Sequence, residues 1–339
     1  MKLKFYTMLG LLLSLVTSVQ VMADNWLVND FYYKPLTENT VANMGSYVAS
    51  GDVKLPEKIT YKKKTYTVTE IGEWAFSNNQ KITSITLPAT ITKVNDAAFA
   101  NAYALKKVVF GKGVKEIGRN LFQQDKVLET VIFNSEISEL PTCTFVNCEQ
   151  LESVTLPKNL KIIDQNAFYE CYSLSKINML STVKVIRKDA FYNTENLKEL
   201  NLASIDSIGD RAFNNSGIKT LTLGKNLKFV GKSAFSGSEL KKLICFSTSP
   251  CLIDRYTCFL YTGLDTIYIP SGTKKKYQNQ GWIFDHTIEM TTDVKGVNAS
   301  STEKVVTGIY DVAGHKQNDF QKGINIVKYS DGSTKKVVK

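Results

Sequence analysis

Histidine is nearly missing from this chain: among 339 residues only His286 and His315 occur, both late in the sequence. With no base available to the serines and cysteines of the long central region, nucleophilic catalysis of the triad type is not expected, and the chain is read as a non-enzyme. Arginine is almost as scarce, limited to Arg119, Arg187, Arg211 and Arg255, so the net charge of +10 is carried mainly by lysines dispersed among acidic residues. That dispersal describes a solvated surface and argues against a nucleic-acid-binding face. The six cysteines include no Cys-x-x-Cys pair and no histidine stands at zinc-site spacing, so no metal site is expected. The glycines of GKGVKEIG, residues 111–118, are wrongly placed for a phosphate-cradling loop. No cofactor is expected.

Long apolar runs are also lacking after the first residues. Lys2 and Lys4 precede the apolar stretch from Met8 to Val16, and Val21-Met22-Ala23 ends a small-residue cleavage pattern. The stretch is too short for a permanent membrane anchor. Residues 1–23 therefore read as a signal peptide, with an exported mature chain starting at Asp24 and no transmembrane helix in it. No cysteine follows the cleavage pattern, so a lipid-anchored start is not expected.

What the sequence does contain is repetition. Phe76, Phe99, Phe122, Phe145, Phe168, Phe191, Phe213, Phe235 and Phe259 recur at spacings of 23, then 22, 22 and 24 residues. A small residue usually precedes the ring, as at Ala75, Ala98, Ala167 and Ala234. Each unit ends in Leu-x-x-[Ile/Val/Leu]-x-[Leu/Phe], as in Leu128-x-x-Val131-x-Phe133, a period-2 pattern that suits a short half-buried strand. A further apolar column runs through Ile71, Val94, Ile117, Leu140, Ile163, Ile186, Ile208, Val230 and Ile253. One such unit cannot close a core, because both its flanks face water; stacking supplies the missing neighbours. Equivalent residues then lie about 4.8 Å apart along the axis, with strand beside strand and ring above ring. Pro88, Gly111, Pro157, Gly224 and Pro270 follow the strands directly and mark turns, and the Ala-Phe step has room for one helical or 3₁₀ turn. About nine coils of 22–24 residues are expected.

The remaining segments divide around this body. Residues 24–70 read as an N-terminal β cap, and residues 71–290 as the solenoid with its own closing cap, in which Trp282 and Phe284 could plug the last coil. Residues 291–303 read as a linker, and 304–339 as a small all-β module with a hairpin turning at Asp331-Gly332. Cys148 and Cys171 both stand three residues after a repeat phenylalanine, so stacking brings them within disulfide reach; a bridge and a pair of buried thiols both remain open. Cys251 and Cys258 form a second possible pair. In every strand the residues flanking the central apolar one point outward. One outward column reads Ser84, Lys107, Thr130, Ser153, Lys176, Glu199, Thr220, Lys242, Thr266, and the other Thr86, Val109, Ile132, Thr155, Asn178, Asn201, Thr222, Ile244, Tyr268. This strip, with apolar spots at Val109/Ile132 and Ile244/Tyr268, is the candidate partner-binding surface.

Units such as IGRNLFQQDKVLETVIF and IGDRAFNNSGIKTLTLG resemble the BspA-like class of bacterial leucine-rich repeats, through nine in-phase copies over residues 71 to about 270. The resemblance implies a right-handed leucine-rich-repeat-like solenoid with a β-ladder on one face and short turns or helical pieces on the other. It also implies a surface protein of Bacteroidetes type that adheres to an extracellular protein or glycan. A structural spacer of the cell envelope with no dedicated ligand is the alternative, and a monomer is expected in either case. Residues 304–339 are similar to the C-terminal sorting tails of type IX secretion, through Gly308-Ile309-Tyr310-Asp311, Gly314, Lys322-Gly323-Ile324-Asn325-Ile326-Val327 and the closing Lys335-Lys336-Val337-Val338-Lys339, although His315 stands where those tails commonly carry arginine.

Overall fold

The structure, a computed structural model, describes residues 25–254 and 256–290, then 306–311, 315–317, 324–329 and 334–338. The leader expected at 1–23, the linker expected at 291–303 and the turn at Asp331-Gly332 lie outside the described residues. The chain forms two compact units that divide between Asp293 and Val294.

The larger unit is a β-solenoid. Its main ladder begins with parallel strands Gly51–Lys54, Ile82–Thr86, Lys107–Phe110, Thr130–Phe133, Ser153–Thr155 and Lys176–Ile177, which form a six-stranded sheet. It resumes as a five-stranded sheet of Glu199–Leu202, Thr220–Leu223, Lys242–Cys245, Thr266–Pro270 and His286–Met290. Register follows the repeat: Val131 pairs with Val108 on one side and Val154 on the other. Two-residue strands, among them Ile162–Ile163, Val185–Ile186 and Ser207–Ile208, carry the apolar column from Val94 to Val230 on a second face, while Ile253 lies in no strand.

The ladder contains eleven rungs rather than nine. The additional two are Gly51–Lys54, inside the segment read as a cap, and His286–Met290 at the far end. Neither belongs to a coil with the Ala-Phe step. A parallel ladder needs only backbone donors and acceptors in line, so it can run past the point where the side-chain pattern stops.

Between the two faces the nine phenylalanines form one stack. Consecutive centroids lie 4.9–5.5 Å apart and the rings tilt by only 2–14°. Phe76 through Phe235 are buried, and Phe259 is half-buried. Phe31, from a strand of the N-terminal β-meander, meets Phe76 edge-on at 6.4 Å. At the other end Phe259 faces Trp282 at 6.0 Å and Phe284 at 5.4 Å, beside the short helix Lys274–Asn279.

The Ala-Phe step is neither helical nor 3₁₀, contrary to the sequence expectation. Residues two before and two after each ring from Phe76 to Phe235 take left-handed backbone, for example Asn166 (φ 56) and Glu170 (φ 58) around Phe168, whereas at Phe259 only Tyr261 (φ 57) does. Alternating handedness turns every second N–H along the axis. Thus Phe145 donates to Ala167 O at 2.8 Å and Phe168 to Ala190 O at 2.7 Å, while the intervening amides close tight turns, as Ala167 does to Asp164 O at 3.2 Å. The turn face is consequently a further backbone ladder between coils, which leaves its polar groups satisfied without a helix.

Charges also pair from coil to coil. Lys106 reaches Glu129 at 2.8 Å, Lys126 reaches Glu149 at 2.7 Å and Arg211 reaches Asp189 at 2.8 Å. The two exposed lysine pairs each contribute little, whereas Arg211 holds the buried Asp189 bidentately, through Nε and Nη2 at 2.8 Å each.

The smaller unit is a four-stranded antiparallel sheet of Lys316–Gln317, Val306–Tyr310, Ile324–Tyr329 and Thr334–Val338, in that spatial order. Ile324 pairs with Val338 and Lys328 with Thr334.

Candidate functional site

The strands set the outward strip by alternation: Val108 and Phe110 are buried, which leaves Lys107 and Val109 on the opposite face. Pairing then converts spacing in sequence into adjacency in space. Lys107, Thr130, Ser153 and Lys176 stand side by side, as do Val109, Ile132 and Thr155. Beyond the break in the ladder, Glu199, Thr220, Lys242 and Thr266 form one row, and Asn201, Thr222, Ile244 and Tyr268 the other.

The strip is longer than its sequence signature. Asp52 and Lys54 join it through pairing with Ser84 and Thr86, and His286 and Ile288 through pairing with Thr266 and Tyr268. The two ends differ in chemistry. Asp52 accepts hydrogen bonds from Ser84 Oγ at 2.7 Å and Thr83 Oγ1 at 3.1 Å, which lower its pKa below the usual carboxylate value. At the other end Ile244, Tyr268 and Ile288 make a run of apolar side chains, with Ile288 45 % exposed and the Lys242 ammonium 4.7 Å from the Tyr268 ring centroid. Aromatic and aliphatic groups held beside a cation are typical anchors for a partner surface.

The two asparagines of the strip are engaged by backbone. At the gap between Lys176–Ile177 and Glu199–Leu202, Asn178 Oδ1 accepts the Leu156 N–H at 2.6 Å. In an intact coil that amide finds a backbone carbonyl, as Leu87 N–H does at Val109 O, 2.9 Å away. Asn201 Oδ1 accepts the Ala203 N–H at 2.9 Å. Thr130 and Ser153 share a hydroxyl contact at 3.2 Å.

All six cysteines are free thiols. Cys148 and Cys171 instead donate S–H to the carbonyls of Phe122 and Phe145 at 3.0 and 3.1 Å, and burial pushes both thiols up in pKa. Cys258 is buried and Cys251 half-buried, and neither bridge considered from the sequence is present. Among the described residues, no group of three or more His, Cys, Asp or Glu side chains is arranged to hold a metal ion. No helix among the described residues is long and apolar enough to cross a membrane.

In the column that holds Cys148 and Cys171 stands Asp125, fully buried, with Oδ1 accepting the Ala102 N–H at 2.6 Å and Oδ2 without a partner. Burial raises its pKa well above the ordinary value. The folded state therefore holds this proton more tightly than the unfolded chain, so the associated stability is complete below the usual carboxylate pKa and lost as pH rises through the folded value. Asp125→Asn, which keeps the acceptor and cannot ionise, is expected to stabilise the protein at pH 7 by about 1–3 kcal/mol. Thermal melts of both proteins should show that gap shrinking toward pH 4; a gap independent of pH would contradict a buried titrating carboxyl.

A family profile described as the BspA type leucine rich repeat region matches residues 54–175 and 161–287, with six copies. The chain belongs to this family. Among solved structures it is similar to a leucine-rich cell surface protein from Faecalibacterium prausnitzii, with 17% identity and a TM-score of 0.46 over 79% of this chain and 95% of that one. A leucine-rich repeat protein from Bacteroides ovatus is 20% identical, with a TM-score of 0.39 over 78% and 76% of the two chains. The T. pallidum leucine-rich repeat protein is 18% identical, with a TM-score of 0.36 over 51% of this chain and 91% of that one. No curated protein matches the sequence.

Proposed function

We propose that the protein is an exported, surface-displayed, non-enzymatic binding protein whose ladder face engages an extracellular macromolecule, with a protein surface as the favoured partner. The observation that carries this reading is the register of the strands. It sets Ile244, Tyr268 and Ile288 in one outward-facing row next to Lys242, with Ile288 exposed and Ile244 and Tyr268 half-buried, at the end of a strip whose other apolar spot is Val109 beside Ile132. A long, shallow strip with an aromatic anchor and flanking charge offers contact area to a folded partner more readily than enclosure to a small molecule. The leader at residues 1–23 and the resemblance of residues 304–339 to type IX sorting tails support delivery to the cell surface.

Immobilised protein challenged with extracellular-matrix proteins and mucosal glycans provides the test. Saturable binding is expected, weakened at least tenfold by Tyr268→Ala or Ile244→Lys and less by Ile132→Lys, with melting temperatures unchanged. Asn178 is a poor choice for such a series because its side chain completes the ladder. Absence of binding to any of these probes would favour an envelope spacer, and binding unaffected by these substitutions would place the interface elsewhere.

A further inference from the structure

Away from the strip, a cleft of about 540 Å³ opens where the segment around Tyr47 meets the first Phe turn. Trp74, 54 % exposed, and Tyr47, 66 % exposed, line it together with Ser77, Asn78, Gln80 and Lys81. We propose that this cleft is a saccharide site, taking a neutral, hydroxyl-rich pyranose unit against the aromatic rings.

Trp74 is a costly residue for its position. It has left-handed backbone, φ 56, where the equivalent coils place Ala97, Asn120, Cys143, Asn166, Asp189, Arg211 and Ser233. The turn therefore does not need an aromatic, and a bulky side chain is among the least suited to that conformation. Nor is the indole recruited to the core, since half of it meets solvent. A strained, exposed tryptophan beside a cavity points to a ligand.

Both rings are held in place. Trp74 Nε1 donates to Glu73 Oε1 at 3.0 Å, and the Tyr47 ring packs edge-on against Tyr32 at 5.6 Å. Asn79 fixes the floor, donating to Ser46 O at 3.1 Å and accepting the Lys81 and Ile82 amides at 2.9 and 2.8 Å. The exposed amides of Asn78 and Gln80 offer donors and acceptors of the kind that sugar hydroxyls require. The lining contains a single cation, Lys81, which does not make an anion site, and its polar rim is unlike the continuous apolar floor of a peptide groove. The volume falls in the range of about 300–1,000 Å³ common to small-ligand sites.

The test uses the full chain. Trp282 is buried and Trp26 is half-buried against Tyr61, so Trp74 is the tryptophan most open to acrylamide quenching. Maltose, cellobiose, lactose and diacetylchitobiose at millimolar concentration are the probes. At least one is expected to protect Trp74 saturably and to show saturation transfer to its ring protons by NMR. Trp74→Asn, with the residue that Asn120 and Asn166 place at the same position, should fold normally and weaken the NMR-detected binding about tenfold or more, as should Tyr47→Ala. Tyr268→Ala should leave it intact, which separates this site from the strip. No protection by any of the four sugars, or binding undiminished in both cleft variants, would overturn the proposal. Protection of Trp74 by an apolar hexapeptide and by none of the sugars would also overturn it, and would assign the cleft to a peptide.

Discussion

Phe145→Ala is expected to cost about 3–5 kcal/mol of stability, the range for removing a buried aromatic ring. Phe145 lies 5.2 Å from Phe122 and 5.1 Å from Phe168, with Phe133 edge-on at 6.5 Å, so truncation leaves a void with neighbours on three sides. Those rings belong to stacked coils that contact only adjacent coils, so none can collapse inward without dragging its own ladder strands. A central defect also weakens the link between the two halves of the solenoid. Trp26 reports on the N-terminal end and Trp282 on the C-terminal end, so urea unfolding followed in variants that each retain one of them should give separated midpoints for Phe145→Ala. Phe259→Ala, at the half-buried end of the stack, should cost less and shift mainly the Trp282 signal. A loss below about 1 kcal/mol at Phe145 would mean that the aromatic stack does not carry the core.

The second large effect is expected from a residue with no side chain. Gly224 follows the strand Thr220–Leu223, and a Cβ added there would lie 1.7 Å from Ala203 O in the preceding coil. That oxygen is backbone, fixed by the coil spacing, so relief requires two coils to separate. Gly224→Ala is expected to destabilise by about 3 kcal/mol and Gly224→Val by more. Gly263→Ala serves as the control, since its Cβ would come no closer than 3.8 Å to the Lys241 side chain. Equal midpoints for the two alanine variants in a denaturant series would show that the coils yield where the geometry says they cannot.

The core was legible because its code is periodic. Phe99 and Phe122 differ by one repeat in sequence and by one ring spacing in space, and the same holds for Val108 and Val131. The turn conformation was written less openly. Asn78, Asn101, Asn147, Asn193 and Asn215 all stand two residues after a ring with positive φ, and this asparagine column is the signal that identifies a left-handed position over a helical turn. Trp74 carried no such signal, since its exposure and its cleft depend on the segment around Tyr47, nearly thirty residues earlier. Ile288 joined the apolar end of the strip through pairing with Tyr268 alone.

By itself, then, the sequence determined that the chain coils, which residues face inward and which columns face out, because apolar burial repeats with the residues that carry it. Only the tertiary structure decided where the ladder stops, that Asn178 fills its gap, that six thiols stay free and that a cleft forms at Trp74. Those features depend on backbone hydrogen bonds and on the meeting of distant segments. Neither leaves a periodic trace in side chains, since a peptide group pairs in the same way whatever residue bears it.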